Sequence, residues 1–493
     1  MGTVLSRFSG AARDVAMAFC FGSAPEIGAF MVAYRLANLF RRLFGEGSLQ
    51  AGFIPHFSSL QGKPSFLFYR DCSFSLLALL LLVVALAEGF LWGISSFLSQ
   101  DWSEIISLSM WMVPGLIFIC LYALNSAFLQ AQKRYFISGF APVLFNLGWI
   151  FAALSVRSLP LPQAMQFLSM GITCAFALQW MATTAQVRKS LPLSWAEWFR
   201  PQFFSPDWRK MMRSMSLGVV GISALQVNSA LDAIFSRFAD LSGPAYLWYA
   251  MRVQQLPLAL FGIALSGALL PPLSRAIAEG AMDRYGSLLQ KALRHSAALL
   301  VPCTFGLLSL GGAGLNLLYG HGDFSPSDVQ QTLYCLWGYG IGLLPSVITL
   351  LLASGFYAQK SYAIPTITSV CSVLFHILCN LVLVFGLHLG AFSIALSTSL
   401  AALLNCAVLA VFMRAHLKQF WGFLARLSLC GLISSLITLY FGGVVFEEYS
   451  RSLVTQCLQV AGMGTLFATL FIALAYWMRI TELFDFLEKR VTS

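Results

Sequence analysis

Charge is what this chain lacks. Only 10% of its 493 residues are Asp, Glu, Lys or Arg, against about 25% in a soluble domain. Hydrophobic residues make up 58% and the mean hydropathy is +0.77, so the chain belongs in a lipid bilayer. Acids are scarcer than bases, 20 against 30. The resulting net charge of +10 sits in short loops between apolar runs, a pattern of membrane topology and anionic lipid rather than of a nucleic-acid partner. Paired cysteines are lacking too. The eleven cysteines lie mostly inside apolar segments with no CxxC, and read as small hydrophobes rather than disulfides or metal ligands. The histidines are scattered, and no HExxH, GxSxG, phosphate loop or dinucleotide fingerprint is present. No stretch between apolar runs is long enough for a soluble catalytic domain, so an enzyme is not expected. No cleavable signal is expected either, because Arg7, Arg13 and Asp14 interrupt the first segment.

What is present is a succession of apolar segments near the roughly 20 residues that span a bilayer. About fourteen are expected, at 5–22, 27–58, 72–97, 107–130, 136–156, 162–186, 211–236, 243–274, 286–310, 330–354, 362–386, 390–413, 420–442 and 453–478. With the N-terminus inside, the loops after even-numbered segments hold most of the lysines and arginines, among them Lys63, Arg70, Lys133, Arg134, Arg188, Lys189, Arg209, Lys360 and Lys418. Those after odd-numbered segments hold only Arg157, Arg237 and Arg451 beside most of the loop acids. The asymmetry puts both termini in the cytoplasm.

The chain also repeats itself. Tyr34-Arg35-Leu36-Ala37-Asn38-Leu39 can be laid on Met251-Arg252-Val253-Gln254-Gln255-Leu256, and the same spacing takes Phe44-Gly45 to Phe261-Gly262 and Pro55 to Pro272. Ala131-Gln132-Lys133-Arg134-Tyr135 likewise matches Ala358-Gln359-Lys360-Ser361-Tyr362. An even number of helices separates the copies, so the repeat is parallel, as in transporters built from two lobes around a central cavity. The expected architecture is an all-α polytopic membrane protein. Its parts are an N-lobe (1–190), a Pro- and Trp-rich inter-lobe loop (191–210), a pseudo-symmetric six-helix C-lobe (211–415), and two further helices with a tail (416–493).

The segment 27–58 carries Arg35, Arg41, Arg42 and Glu46. A charge at mid-bilayer costs from about 3 to more than 10 kcal/mol, so such residues normally face a water-filled cavity and mark function. Arg41 and Arg42 fall roughly 20 Å along the helix from its outer end, near mid-membrane, with Arg35 about two turns above. Arg252 takes the place of Arg35 in the other lobe, and Arg7 and Arg13 complete the set. Internal pairing, for instance Arg42 with Glu46 one turn away, is the competing reading. Yet Asp14, Glu46, Glu88 and Asp232 are the few acids within helices, too few for six arginines. A positive cavity selects an anion, and the planar arginine fork suits phosphate. Gly45, Gly47, Gly52 and Pro55, and Gly262, Gly267, Pro271 and Pro272, are either hinges or sites of close packing. Asp232, with Gln226 and Asn228, is a candidate cation site to which Asn380 and Thr398 add ligands, against a plain buried polar cluster. His376 and Cys379 read as core.

The run Ser6-Arg7-Phe8-Ser9-Gly10-Ala11-Ala12-Arg13-Asp14, then Tyr34-Arg35-Leu36-Ala37-Asn38-Leu39-Phe40-Arg41-Arg42-Leu43-Phe44-Gly45-Glu46-Gly47 and Phe53-Ile54-Pro55, closely resembles the MurJ (MviN) family. So do Tyr249-Ala250-Met251-Arg252 and Leu269-Leu270-Pro271, and the resemblance covers essentially the whole chain. It implies a lipid II flippase of the MOP exporter superfamily, acting in peptidoglycan synthesis at the bacterial inner membrane. The implied substrate is the undecaprenyl-pyrophosphate-linked disaccharide pentapeptide, moved from the cytoplasmic to the outer leaflet. Flipping of another polyprenyl-pyrophosphate glycan, or drug export within the superfamily, is the alternative. The family's cavity arginines fall on Arg7, Arg13, Arg41, Arg42 and Arg252. With Arg35, Glu46 and Gln255 these make the candidate substrate-binding set. A sodium site of some members would fall near Asp232, Asn380 and Thr398. Either Na+ or the membrane potential is then the expected energy source, with no other cofactor. The family's tail groove falls on the last two helices. A monomer is expected, in contact with membrane lipids and with cell-wall synthesis proteins as further partners. The chain departs from the family at Gly28, where an aspartate is usual, at Ala37 (proline), at Gln255 (glutamate) and at Asn380, a carboxylate in sodium-binding relatives.

Overall fold

Inside lipid a peptide group finds no water to bond, so an apolar chain satisfies its backbone within helices. In the computed structural model the described residues (2–44, 48–259, 264–447 and 449–483) form helices joined by turns and short loops, with no strand among them. They group into two units, Met1–Arg237 and Phe238–Ser493. The first contains α1 (Gly2–Phe21), α2 (Pro25–Phe44), α3 (Ser48–Ser59), α4 (Lys63–Ser95), α5 (Gln100–Met112), α6 (Gly115–Ala131), α7 (Tyr135–Val156), α8 (Leu161–Ser190), the single turn α9 (Trp195–Trp198) and α10 (Pro206–Ala239), which ends at the boundary. The second contains α11 (Gly243–Pro257), α12 (Ala264–Ala278), α13 (Met282–Tyr319), α14 (Pro326–Ile341), α15 (Leu343–Ala358), α16 (Ala363–Leu381) with a π-helical turn Val382–Gly386, α17 (Phe392–Phe412), α18 (Arg414–Val445) and α19 (Leu453–Trp477).

Every one of the fourteen expected apolar stretches is carried by one helix or by two in succession, and among the described residues the short α9 and a 3-10 turn at Thr481–Leu483 are additional. In the stretch 27–58 the described residues form α2 and α3, and in 243–274 they form α11 and α12; residues 45–47 and 260–263 lie outside the described residues. Among the described residues nine spans are long and apolar enough to cross a membrane, or ten if α5 and α6, bent by 42° at their junction, count as one. Leu82, Leu86, Phe90 and Trp92 on α4 stand mostly exposed, a surface at home in hydrocarbon and not in water. The chain is a multi-pass, all-α membrane protein.

Small residues set the packing. In the first unit α7 lies against α1 and α8, and a Cβ on Gly171 would meet the Cβ of Ala152 at 2.7 Å. Such contacts replace the hydrophobic drive that lipid removes. Gly52 is a packing site of this kind, since an added Cβ would lie 3.3 Å from the Met211 carbonyl. Nothing stands within 4 Å of such an atom on Gly267. Gly45, Gly47 and Gly262 lie outside the described residues.

The segment after α8 is fastened to α4. Ser194 and Glu197 close a capping box around α9. Arg70 donates from Nη1 to the Glu197 carbonyl at 2.7 Å, while Gln202 N donates to Asp71 Oδ1 and Phe204 N to Ser75 Oγ, both at 2.9 Å. Lys63 forms an ion pair with Glu197. That contact, then the bonds from Ser194, holds the Glu197 carboxyl down at about 2.

The repeated Ala-Gln-Lys-x-Tyr motif has a local structural meaning. Lys133 and Lys360 both adopt left-handed backbone, at φ 61° and 58°. Lys133 N donates to Gln130 O and Arg134 N to Leu129 O. In the second unit Lys360 N donates to Tyr357 O and Ser361 N to Phe356 O. Each is a Schellman helix end with lysine where glycine is usual.

Candidate functional site

Arg13 lies where α1 packs on α7 and is only 6% exposed. Its Nη2 and Nε donate to Asp14 Oδ1 at 2.7 and 3.1 Å, and its Nη1 donates to Asn146 Oδ1 at 3.1 Å. The guanidinium stacks 4.6 Å above the ring of Trp149, a cation–π contact strengthened by burial. Asn146 donates in turn to Ser9 Oγ at 2.9 Å. Trp149 is fully buried and meets the ring of Tyr34 on α2 at 4.8 Å between centroids. A cation expected to face a cavity is therefore neutralised and held within the first unit. Asn146 and Trp149 carry no charge that would draw attention in the sequence, and Asp14 is adjacent to Arg13, a spacing that normally points side chains apart on a helix.

The other candidates stand differently. Arg7 is exposed on α1. Arg35 is half-buried on α2, and among the described residues it has no ion pair or side-chain hydrogen bond. Arg41 and Arg42 belong to the last turn of α2, with side chains outside the described part of the structure, and Glu46 lies outside the described residues altogether. In the second unit Arg252 is half-buried on α11 with its guanidinium 4.3 Å over Trp248. Gln255 is exposed, and its neighbour Gln254 is buried.

The second unit does bring Asn380 and Thr398 together, around His376. The imidazole Nε2 lies 3.4 Å from both Asn380 Nδ2 and Thr398 Oγ1. Ser397 Oγ donates to Asn380 Oδ1, and Thr398 donates to Ile394 O at 2.8 Å. His376 and Asn380 are 2% and 1% exposed. His376, read as core in the sequence, is thus the centre of the polar cluster, while Cys379 takes no part in these bonds. Asp232 is half-buried on α10 of the first unit, and the side chain of Gln226 is outside the described part. Among the described residues no three His, Cys, Asp or Glu side chains converge as a metal site.

Known proteins place these residues in a family. The family model described as lipid II flippase MurJ matches residues 17–471. A probable lipid II flippase MurJ of Chlamydia pneumoniae is 31% identical over 404 residues, covering 81% of this chain and 73% of the relative. Among solved structures, a lipid II flippase MurJ in an inward closed conformation superposes with TM-score 0.75 at 22% identity, over 95% of this chain and 97% of the other. An inward-facing multidrug transporter of the MATE family, in the MOP superfamily, gives 0.66 at 11% identity over 84% and 95% of the two chains, a likeness of fold alone. The model and the relatives run across nearly every helix described above, and the chain belongs to the lipid II flippase MurJ family, whose members are transporters and not enzymes.

Proposed function

We propose that this chain flips lipid II, an undecaprenyl-pyrophosphate-linked peptidoglycan precursor, from the cytoplasmic to the outer leaflet of the inner membrane. The family match over residues 17–471 carries the proposal, because that span includes Arg35, Arg41, Arg42 and Arg252. The pyrophosphate is bound by arginines of the set Arg7, Arg35, Arg41, Arg42 and Arg252, with Glu46 and Gln255 beside it. Arg35 is the member best suited to an incoming anion, since it is half-buried and lacks an internal counter-ion among the described residues. Arg13 already spends its charge on Asp14, and its part is to fix α1 against α7. The lobes 1–190 and 211–415 alternate access to the headgroup, α18 and α19 receive the polyprenyl tail, both termini are cytoplasmic, and the chain works as a monomer.

Energy comes from the membrane potential. A sodium ion is a hard cation that wants oxygen ligands and a carboxylate, yet in the second unit an imidazole nitrogen stands between Asn380 and Thr398. With Asn380 in the place of a carboxylate, that donor set fits Na+ poorly, leaving Asp232 as the remaining acid of the candidate set.

The test is complementation in a strain depleted of its own flippase. The wild-type gene restores growth, and Arg35→Ala and Arg252→Ala, expressed at the same level, do not. Growth of both variants at the wild-type rate overturns the arginine site, and failure of the wild-type gene overturns lipid II as the substrate.

A further inference from the structure

The first unit contains a cavity of about 410 Å³ at the end where the segment 191–205 is fastened to α4. That volume is within the roughly 300–1,000 Å³ of small-molecule sites. Its walls come from α4, α6, α8 and α9. Leu77, Leu121 and Trp180 give it an apolar lining, and Trp195 and Trp198 line it from α9. Among its polar groups Asn125 bridges the Tyr69 hydroxyl at 2.6 Å and the Thr184 hydroxyl at 2.9 Å. Arg188 lines it as well, its guanidinium 3.3 Å from the centroid of Trp195. The acids nearby are already engaged: Glu197 by Lys63 and Ser194, Asp71 by Arg70 and Gln202. Among the described residues Arg188 has no acidic partner, so the rim is left positive.

The surroundings say which ligand reaches it. Trp195, Phe199 and Phe203 are 61%, 65% and 54% exposed, and Lys189, Arg200 and Arg209 are exposed along the same segment. Aromatic and basic side chains together mark the level of lipid headgroups, where anionic lipid collects. We propose that the cavity is a binding site for one anionic phospholipid, with an acyl chain between Leu77, Leu121 and Trp180 and the phosphate at Arg188. The lining includes none of the arginines proposed to bind the substrate, and the site stands or falls independently of what the chain transports.

The experiment titrates the purified full-length protein, in a neutral detergent, with phosphatidylglycerol and with phosphatidylcholine of the same chain length. Native mass spectrometry reads the bound fraction. Phosphatidylglycerol is expected to bind at least tenfold more tightly. Arg188→Gln, an exposed position that leaves the fold intact, removes that preference, and Leu77→Trp, which fills the cavity, weakens both lipids at least tenfold. Equal binding of the two lipids to the wild-type chain overturns the proposal. So does a preference for phosphatidylglycerol that survives Arg188→Gln within twofold, even if Leu77→Trp proves unstable.

Discussion

Arg13 and Asp14 are neighbours in the chain, and on a helix consecutive side chains point about 100° apart. The pair forms because α7 packs on α1 at this point and buries the guanidinium against Asp14, Asn146 and the face of Trp149. Breaking a buried ion pair on one side strands the other charge, at a cost of about 3–5 kcal/mol, while an apolar pair of similar volume is nearly neutral. Asp14→Asn is therefore expected to lower the thermal midpoint of the detergent-solubilised protein sharply. The double variant Arg13→Met, Asp14→Leu should recover most of the loss. A midpoint for Asp14→Asn within a degree of wild type contradicts the pairing. Charge counting along the sequence set six arginines against four acids and left Arg13 among the unpaired. The residues that hold it, Asn146 and Trp149, lie some 130 positions away on a helix with no charge to mark it.

Among the elements, the clearest repeated feature is the pair of helix ends at Lys133 and Lys360. A left-handed conformation costs a residue with a side chain about 1–2 kcal/mol and costs glycine almost nothing. Lys133→Gly and Lys360→Gly should each stabilise their unit by about 1 kcal/mol, seen as a higher midpoint in chemical denaturation. If either substitution destabilises, the lysine side chain rather than its backbone holds that end. The motif match in the sequence showed that something recurs there, but the spacing of apolar residues does not reveal a backbone angle. The same limit hid the 42° bend between α5 and α6 within the stretch 107–130, since hydropathy runs on across it. It also hid the π-helical turn Val382–Gly386, whose Leu383 carbonyl accepts from Ser393 at 3.2 Å.

At the scale of the whole molecule, the order of apolar stretches and the all-α class were legible because lipid leaves a backbone few options. What joins distant stretches was not legible: the polar cluster around His376 draws on α16 and α17, and only packing makes its imidazole central. The cluster bears on the driving force. In proteoliposomes containing lipid II, a potassium diffusion potential is expected to set the rate of flipping. Replacing Na+ by choline at fixed potential should change the rate by less than twofold. A rate that falls tenfold without Na+ would restore Asp232, Asn380 and Thr398 as a sodium site.

The fastening of the segment 191–205 to α4 has one more consequence. The groups that hold it on the α4 side are the side chains of Arg70, Asp71 and Ser75, but on the other side three of the partners are main-chain atoms, the Glu197 carbonyl and the amides of Gln202 and Phe204. Every amino acid offers that carbonyl, and all but proline offer those amides. Substitutions can therefore accumulate along the segment without changing its course. Evolution is free to retune the aromatic and basic residues that meet the bilayer, and so to match one lineage's lipid mixture or another's, while the transport machinery behind them stays as it is.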